Sequence, residues 1–179
     1  MLFPQFDVHN IVPNAIMVLL STDRSKMVDT MAFIVNNLSV RFGGITTSID
    51  YITLMNMLED RKNGSASLPF EAPVLLADVI ISPTYIDMLR EIFYNVKAYN
   101  ITSVLAGVAG DISTTPLFGM SDYIFVFKEQ GTERSVLYDK FFPFLHRDEF
   151  DNLLDTLNET QCIVLDQHSR KVFVLSTNA

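Results

Sequence analysis

Four short apolar runs punctuate the chain: Ala15 to Leu20 (AIMVLL), Val74 to Ala77 (VLLA), Ile101 to Val108 (ITSVLAGV) and Tyr123 to Phe127 (YIFVF). A strand that is apolar at nearly every position is buried on both faces rather than one. Between these runs lie polar turns and segments whose apolar residues recur every three or four positions. That alternation predicts an α/β fold, a mostly parallel sheet with helices on both faces.

After the first run, Met27, Val28, Met31, Ile34, Val35 and Leu38 keep helical spacing up to the glycine stop Gly43-Gly44. Ile45-Thr46-Thr47 reads as a short strand. Ile49, Ile52, Met55 and Leu58 read as one face of a helix that Ser48 would cap. The stretch 62–73 is the clearest loop, and Pro83 suits the first turn of a helix with Ile86, Leu89, Ile92, Phe93 and Val96 on its apolar face. Phe150, Leu153, Leu154 and Leu157 share another helical face. Residues 162–165 and 172–175, separated by a polar turn, read as an antiparallel hairpin at a sheet edge.

At 179 residues the chain is expected to form one domain, 1–179, with a sizeable core; 49% hydrophobic against 19% charged residues is a globular composition. The formal charge of −8 opposes unaided nucleic-acid binding, because phosphate neutralisation needs clustered cations and Arg61-Lys62 and Arg170-Lys171 are isolated pairs. Cys162, the only cysteine, sits in an apolar run and reads as a buried thiol in a reducing compartment. No basic segment precedes an apolar one at the N-terminus, and no run approaches the roughly 18 apolar residues of a spanning helix, so no signal peptide and no transmembrane segment are expected.

The stretch VLLSTDRSKM, residues 18–27, has the strand, polar turn and lysine of a phosphate-binding loop. Such a loop works because glycine-freed backbone N–H groups wrap phosphates while Lys reaches the outer ones and Ser or Thr binds magnesium. Laid on G-x-x-x-x-G-K-[ST], the stretch puts Leu20 and Ser25 at the glycines, Lys26 at the lysine and Met27 at the magnesium ligand. Only the lysine survives, and Asp23 would set a negative charge against the phosphates. A strand-to-helix turn capped by Ser or Asp is the favoured reading.

Asp78, closing the run Val74 to Ala77, has the place of a strand-end magnesium acid, but a lone Asp there is more often a cap or loop residue. Asp148, Glu149, Asp151 and Asp155 read as a solvated helix face. His9, His146 and His168 are scattered without partners at ligand spacing, so no zinc site is expected, and no nucleophile motif occurs.

Two blocks carry a likeness. Phe93, Asn95, Asn100, Ile101 and Thr102 match "F-x-N-G-R-H-x-N-I-[ST]", and Asp122, Tyr123, Ile124 and Phe125 match the end of "P-x-L-R-x-N-x-D-[YF]-[VI]-F". The tail adds an aromatic stretch at 138–144, then Phe150, Thr160 and Cys162 to Asp166. In these residues and their order, from about Ala15 to Leu175, the chain resembles the genome-packaging ATPases of nucleocytoplasmic large DNA viruses, a branch of the FtsK/HerA-type P-loop ATPases.

The departures fall on chemistry. Ala77 stands where that family's magnesium-binding Asp would be, Val96-Lys97-Ala98 replaces Gly-Arg-His, Val108 takes the place of a polar sensor Gln, and Phe118 that of an arginine. The resemblance therefore implies a P-loop NTPase-like sheet whose nucleotide site is degenerate at Leu20, Thr22, Asp23, Ser25, Lys26, Met27, Ala77, Asp78, Val108 and Phe118. It implies no catalysis and no cofactor, with a structural or binding role in virion assembly or genome packaging, in the host cytoplasm or virus factory and in the virion. The partner would be a protein, either an active packaging ATPase in a homo- or hetero-oligomer or a capsid or membrane component. Two alternatives stand beside it: weak nucleotide binding, with ATP and magnesium held through Lys26, Thr22 and Asp78, and a RecA-like pseudo-ATPase subunit of a recombination or assembly complex.

Overall fold

The computed structural model describes residues 3–42, 47–49, 51–62, 70–81, 83–109 and 116–178. Seven strands form one sheet: β1 (Ala15–Ser21), β2 (Thr47–Ile49), β3 (Val74–Ile80), β4 (Ile101–Ala109), β5 (Tyr123–Val126), β6 (Gln161–Asp166) and β7 (Lys171–Ser176). Their order is β2-β3-β4-β1-β5-β6-β7, the first five parallel and the last two antiparallel. The parallel sheet and the C-terminal hairpin are as the apolar runs predict.

Among the described residues five α-helices connect the strands: α1 (Arg24–Arg41), α2 (Tyr51–Lys62), α3 (Ile86–Tyr94), α4 (Gly131–Phe141) and α5 (Arg147–Thr156). The connection from β1 runs outward to the edge strand β2, and the following ones return across the sheet. Right-handed crossovers in opposite directions put their helices on opposite faces. Accordingly Met27, Met31, Ile34 and Leu38 of α1 pack under Met17 and Leu19, while α2 to α5 cover the face of Ile16, Val18 and Leu20.

Beyond α1, that first face is roofed by the segment leading into β1. Phe6 meets Tyr123, Phe125 and Phe173 edge-on at 5.6 to 5.9 Å between ring centres. Its N–H donates to the Val174 carbonyl at 2.8 Å, and the Val174 N–H donates to Pro4 at 2.9 Å. A two-bond parallel strap thus covers part of the β7 edge, which a bare strand would leave open to pairing.

Several local expectations are corrected. Ser48 and Ile49 lie in β2 and pair with Leu75 and Leu76, so they neither cap nor belong to α2. Among the described side chains of α2 Leu54 and Met55 are buried, whereas Ile52 is 71% exposed, and Leu58 lies outside the described side chains. Val28 likewise faces outward from α1. Pro83 opens a 3₁₀ turn, Pro83–Tyr85, ahead of α3, and Val96 lies past the helix end although buried. Helix α4 had no clear apolar period to announce it. Gly43-Gly44, Ile45 and most of the 62–73 loop lie outside the described residues.

Candidate functional site

The turn joining β1 to α1 has two residues. β1 ends at Ser21 and α1 begins at Arg24, with Asp23 as its N-cap. The Asp23 carboxylate accepts from the Ser25 N–H at 2.9 Å and the Ser25 hydroxyl at 2.7 Å, which hold its pKa below the usual carboxylate value. The favoured capped-turn reading is therefore what the fold contains.

The remaining polar groups of the turn are also committed. Glu129, just past β5 and 6% exposed, brings its carboxylate over the end of β1. There it accepts from the Thr22 N–H at 2.8 Å, the Thr22 hydroxyl at 2.8 Å and the Ser21 hydroxyl at 3.1 Å. The Asp23 N–H in turn donates to Ser21 Oγ at 2.9 Å. A carboxylate removed from water is tolerated only when its oxygens are met in this way. Sequence reading missed Glu129, because only the neighbouring of β1 and β5 brings residues 22 and 129 together.

The other positions that the resemblance aligns with a nucleotide site divide by location. Leu20 and Met27 are fully buried and Val108 nearly so, Leu20 pairing with both Val108 and Val126. The Met27 sulfur lies 3.5 Å from where a side chain on Gly107 would begin. Ala77 packs partly buried on the α1 side. Asp78 is neither cap nor loop: it stands in a β3 bulge, where Ala77 and Asp78 oppose one residue of β4, with φ +54°. Its carboxylate holds Arg24 at 2.7 and 2.8 Å.

Lys26 is half-buried and borders a hollow of about 490 Å³ shared with Thr22, Lys128, Glu129, Gln130 and Glu133. Lys128 donates to the Asp155 and Leu157 carbonyls at 2.9 and 3.3 Å.

Phe118 lies at the opposite end of the sheet, edge-on to Phe141 at 4.9 Å and under the Lys140 ammonium. Beside it a polar staple ties three segments. Asp122 accepts from the Ile16 N–H at 2.7 Å and meets His168 Nε2 at 2.6 Å, and the Gln167 amide donates to Phe118 and Ser121. The Asp122 hydrogen bond raises the His168 pKa above its ordinary value.

The acidic helix face is not merely solvated. Arg134 pairs with Asp155 at 2.6 Å and Asp151 at 3.7 Å, and Arg147 with Asp151 at 2.9 Å. Cys162 is buried, and burial pushes its thiol pKa up. Among the described residues no group of three His, Cys, Asp or Glu side chains could hold a metal ion.

No protein-family model matches the sequence, and no curated protein does. Solved structures do match. The DNA-packaging ATPase B204 of Sulfolobus turreted icosahedral virus aligns with a TM-score of 0.57 and 11% identity over 92% of this chain and 98% of that one. The chain shares the fold of that packaging ATPase. The genome-packaging NTPase B204 of Sulfolobus turreted icosahedral virus 2 aligns similarly: with sulfate bound the TM-score is 0.58 at 10% identity over 93% of this chain and 98% of that one, and with ATP-γ-S it is 0.56 at 10% over 92% and 98%. Among the described residues no helix is long and apolar enough to cross a membrane.

Proposed function

We propose that the chain is a catalytically inactive relative of the viral genome-packaging ATPases, acting as a structural or binding component of packaging or virion assembly. The likeness to the B204 enzymes supports the packaging context over a recombination complex. The observation that carries inactivity is the two-residue turn after β1. It has no glycine, and its Thr22 and Asp23 N–H groups and its Thr22 hydroxyl are engaged by the chain's own oxygens.

The residues present do not fit a magnesium nucleotide. Phosphoryl transfer depends on donors and a metal aimed at the phosphates. Here Glu129 sets a negative charge among the donors of the turn, and the Met27 side chain points into the core. The surface suits a protein partner better than DNA, since Arg24, Arg134 and Arg147 are engaged by the chain's own acids. That partner would be an active packaging ATPase in a mixed ring, or a capsid or membrane component, at the site of virion assembly.

The decisive experiment is a thermal melt and a phosphate-release assay with ATP and magnesium. The proposal expects no shift and no turnover; a shift or turnover would favour the rival reading, nucleotide held through Lys26, Thr22 and Asp78.

A further inference from the structure

We infer that the end of β1 is an oxyanion-binding turn whose ligand is built into the chain: the carboxylate of Glu129. Thr22 grips both oxygens, its N–H on Oε1 and its hydroxyl on Oε2, each at 2.8 Å. Ser21 adds a third donor to Oε1 at 3.1 Å. The direction of that third bond is fixed, because a carboxylate oxygen can only accept, so the Ser21 hydroxyl donates to Glu129 while its oxygen receives the Asp23 N–H. Three convergent donors on a two-oxygen anion are the chemistry of a carboxylate site.

Its position is that of a ligand crevice. The connection leaving β1 runs toward β2 and that leaving β5 runs toward β6, so the chain diverges between neighbouring strands at their C-terminal ends. Open α/β sheets bind ligands where connections part in this way. Here the crevice is filled from within.

The filling segment is anchored on both sides of Glu129. The Phe127 N–H donates to the Leu20 carbonyl at 3.3 Å, and Arg134 Nε donates to the Glu129 carbonyl at 3.1 Å while pairing with Asp155. Tethering makes the carboxylate's encounter with its donors intramolecular, so a free carboxylate must compete against a high effective concentration. The inference concerns the turn of the proposed function but rests on the contacts of Glu129; ATP turnover by the wild type would end that proposal and leave this one to its own test.

Glu129→Ala removes the internal ligand and leaves the donors. Acetate is the probe, with chloride at equal ionic strength as control. The variant should melt below the wild type, and acetate should raise its Tm by several degrees over chloride while leaving the wild type unmoved. The Thr22 amide resonance should shift and saturate along the same titration. A variant as stable as the wild type, or acetate no better than chloride, overturns the inference. Should Glu129→Ala not fold, Glu129→Gln carries the test: its Thr22 amide should exchange with deuterium at least about tenfold faster than in the wild type, and equal exchange overturns the inference.

Discussion

Arg24, the first residue of α1, lays one guanidinium nitrogen against both oxygens of Asp78, at 2.8 and 2.7 Å, and Asp78 adopts a left-handed backbone (φ +54°) in the β3 bulge. Pair and conformation act on stability in opposite senses. An L-residue in this region costs roughly 1 kcal/mol, least for Asp and Asn, and a half-exposed ion pair returns at most about that much. Asp78→Ala loses the pair and keeps the strain, so it should destabilise by about 1 to 2 kcal/mol. Asp78→Gly relieves the strain and should stay within about 1 kcal/mol of wild type. Urea denaturation of the two variants separates them.

Installing a hydroxyl at Met27, which the resemblance aligns with a magnesium ligand, should damage the fold without conferring ATP turnover. Met27 is fully buried against Gly107. Met27→Ser leaves a cavity and buries a hydroxyl, for a loss of about 3 kcal/mol, and under the proposed function it gains no ATP turnover. Denaturation and phosphate release measured on one preparation check both parts.

Gly107 tests the same contact from the sheet side. A methyl there would lie 3.1 Å from the Met31 terminal carbon, the flexible end of a side chain. Gly107→Ala should therefore cost under about 1.5 kcal/mol, and Gly107→Leu more, through overpacking. Thermal melts rank them.

Stability should also carry a pH signature from the staple at the far end of the sheet. Asp122 raises the folded-state pKa of His168 above its unfolded value, so this contribution is complete below about pH 6.5 and fades as pH rises through the folded pKa. His168 is largely exposed, which keeps the effect under about 1 kcal/mol. His168→Asn should flatten the pH dependence between neutral and mildly acidic conditions, read as the difference between two denaturation series.

The strap rests on one aromatic anchor. Phe6→Ala abandons the rings of Tyr123, Phe125 and Phe173 and should cost about 2 kcal/mol, with faster hydrogen exchange at the Val174 amide.

The central strands were legible because their runs are mostly apolar: AIMVLL and VLLA announce burial on both faces, and the hairpin declares itself by its polar turn, whereas the short polar β2 was misplaced. Helix faces were less so. Ile52 kept the spacing of Met55 yet points to solvent, since a three-residue spacing does not say which side of the helix meets the sheet. Helix α4, with only Leu137 and Phe141 buried, offered too narrow an apolar stripe to read. The strand and capped turn around Leu20 and Asp23 could be placed from the sequence, but Glu129 could not. Nothing local in Lys128-Glu129-Gln130 shows that a neighbouring strand will carry its carboxylate to Thr22.

The strand order also sets a timetable. β1 takes its two hydrogen-bonded neighbours from β4 and β5, roughly 90 and 105 residues downstream. At ribosomal speeds of about 5 to 20 residues per second, β1 waits roughly 5 to 20 s after its synthesis before both flanks can close. A wholly apolar segment left unpaired for that long is a natural client for a chaperone, and the yield of folded protein should depend on that interval.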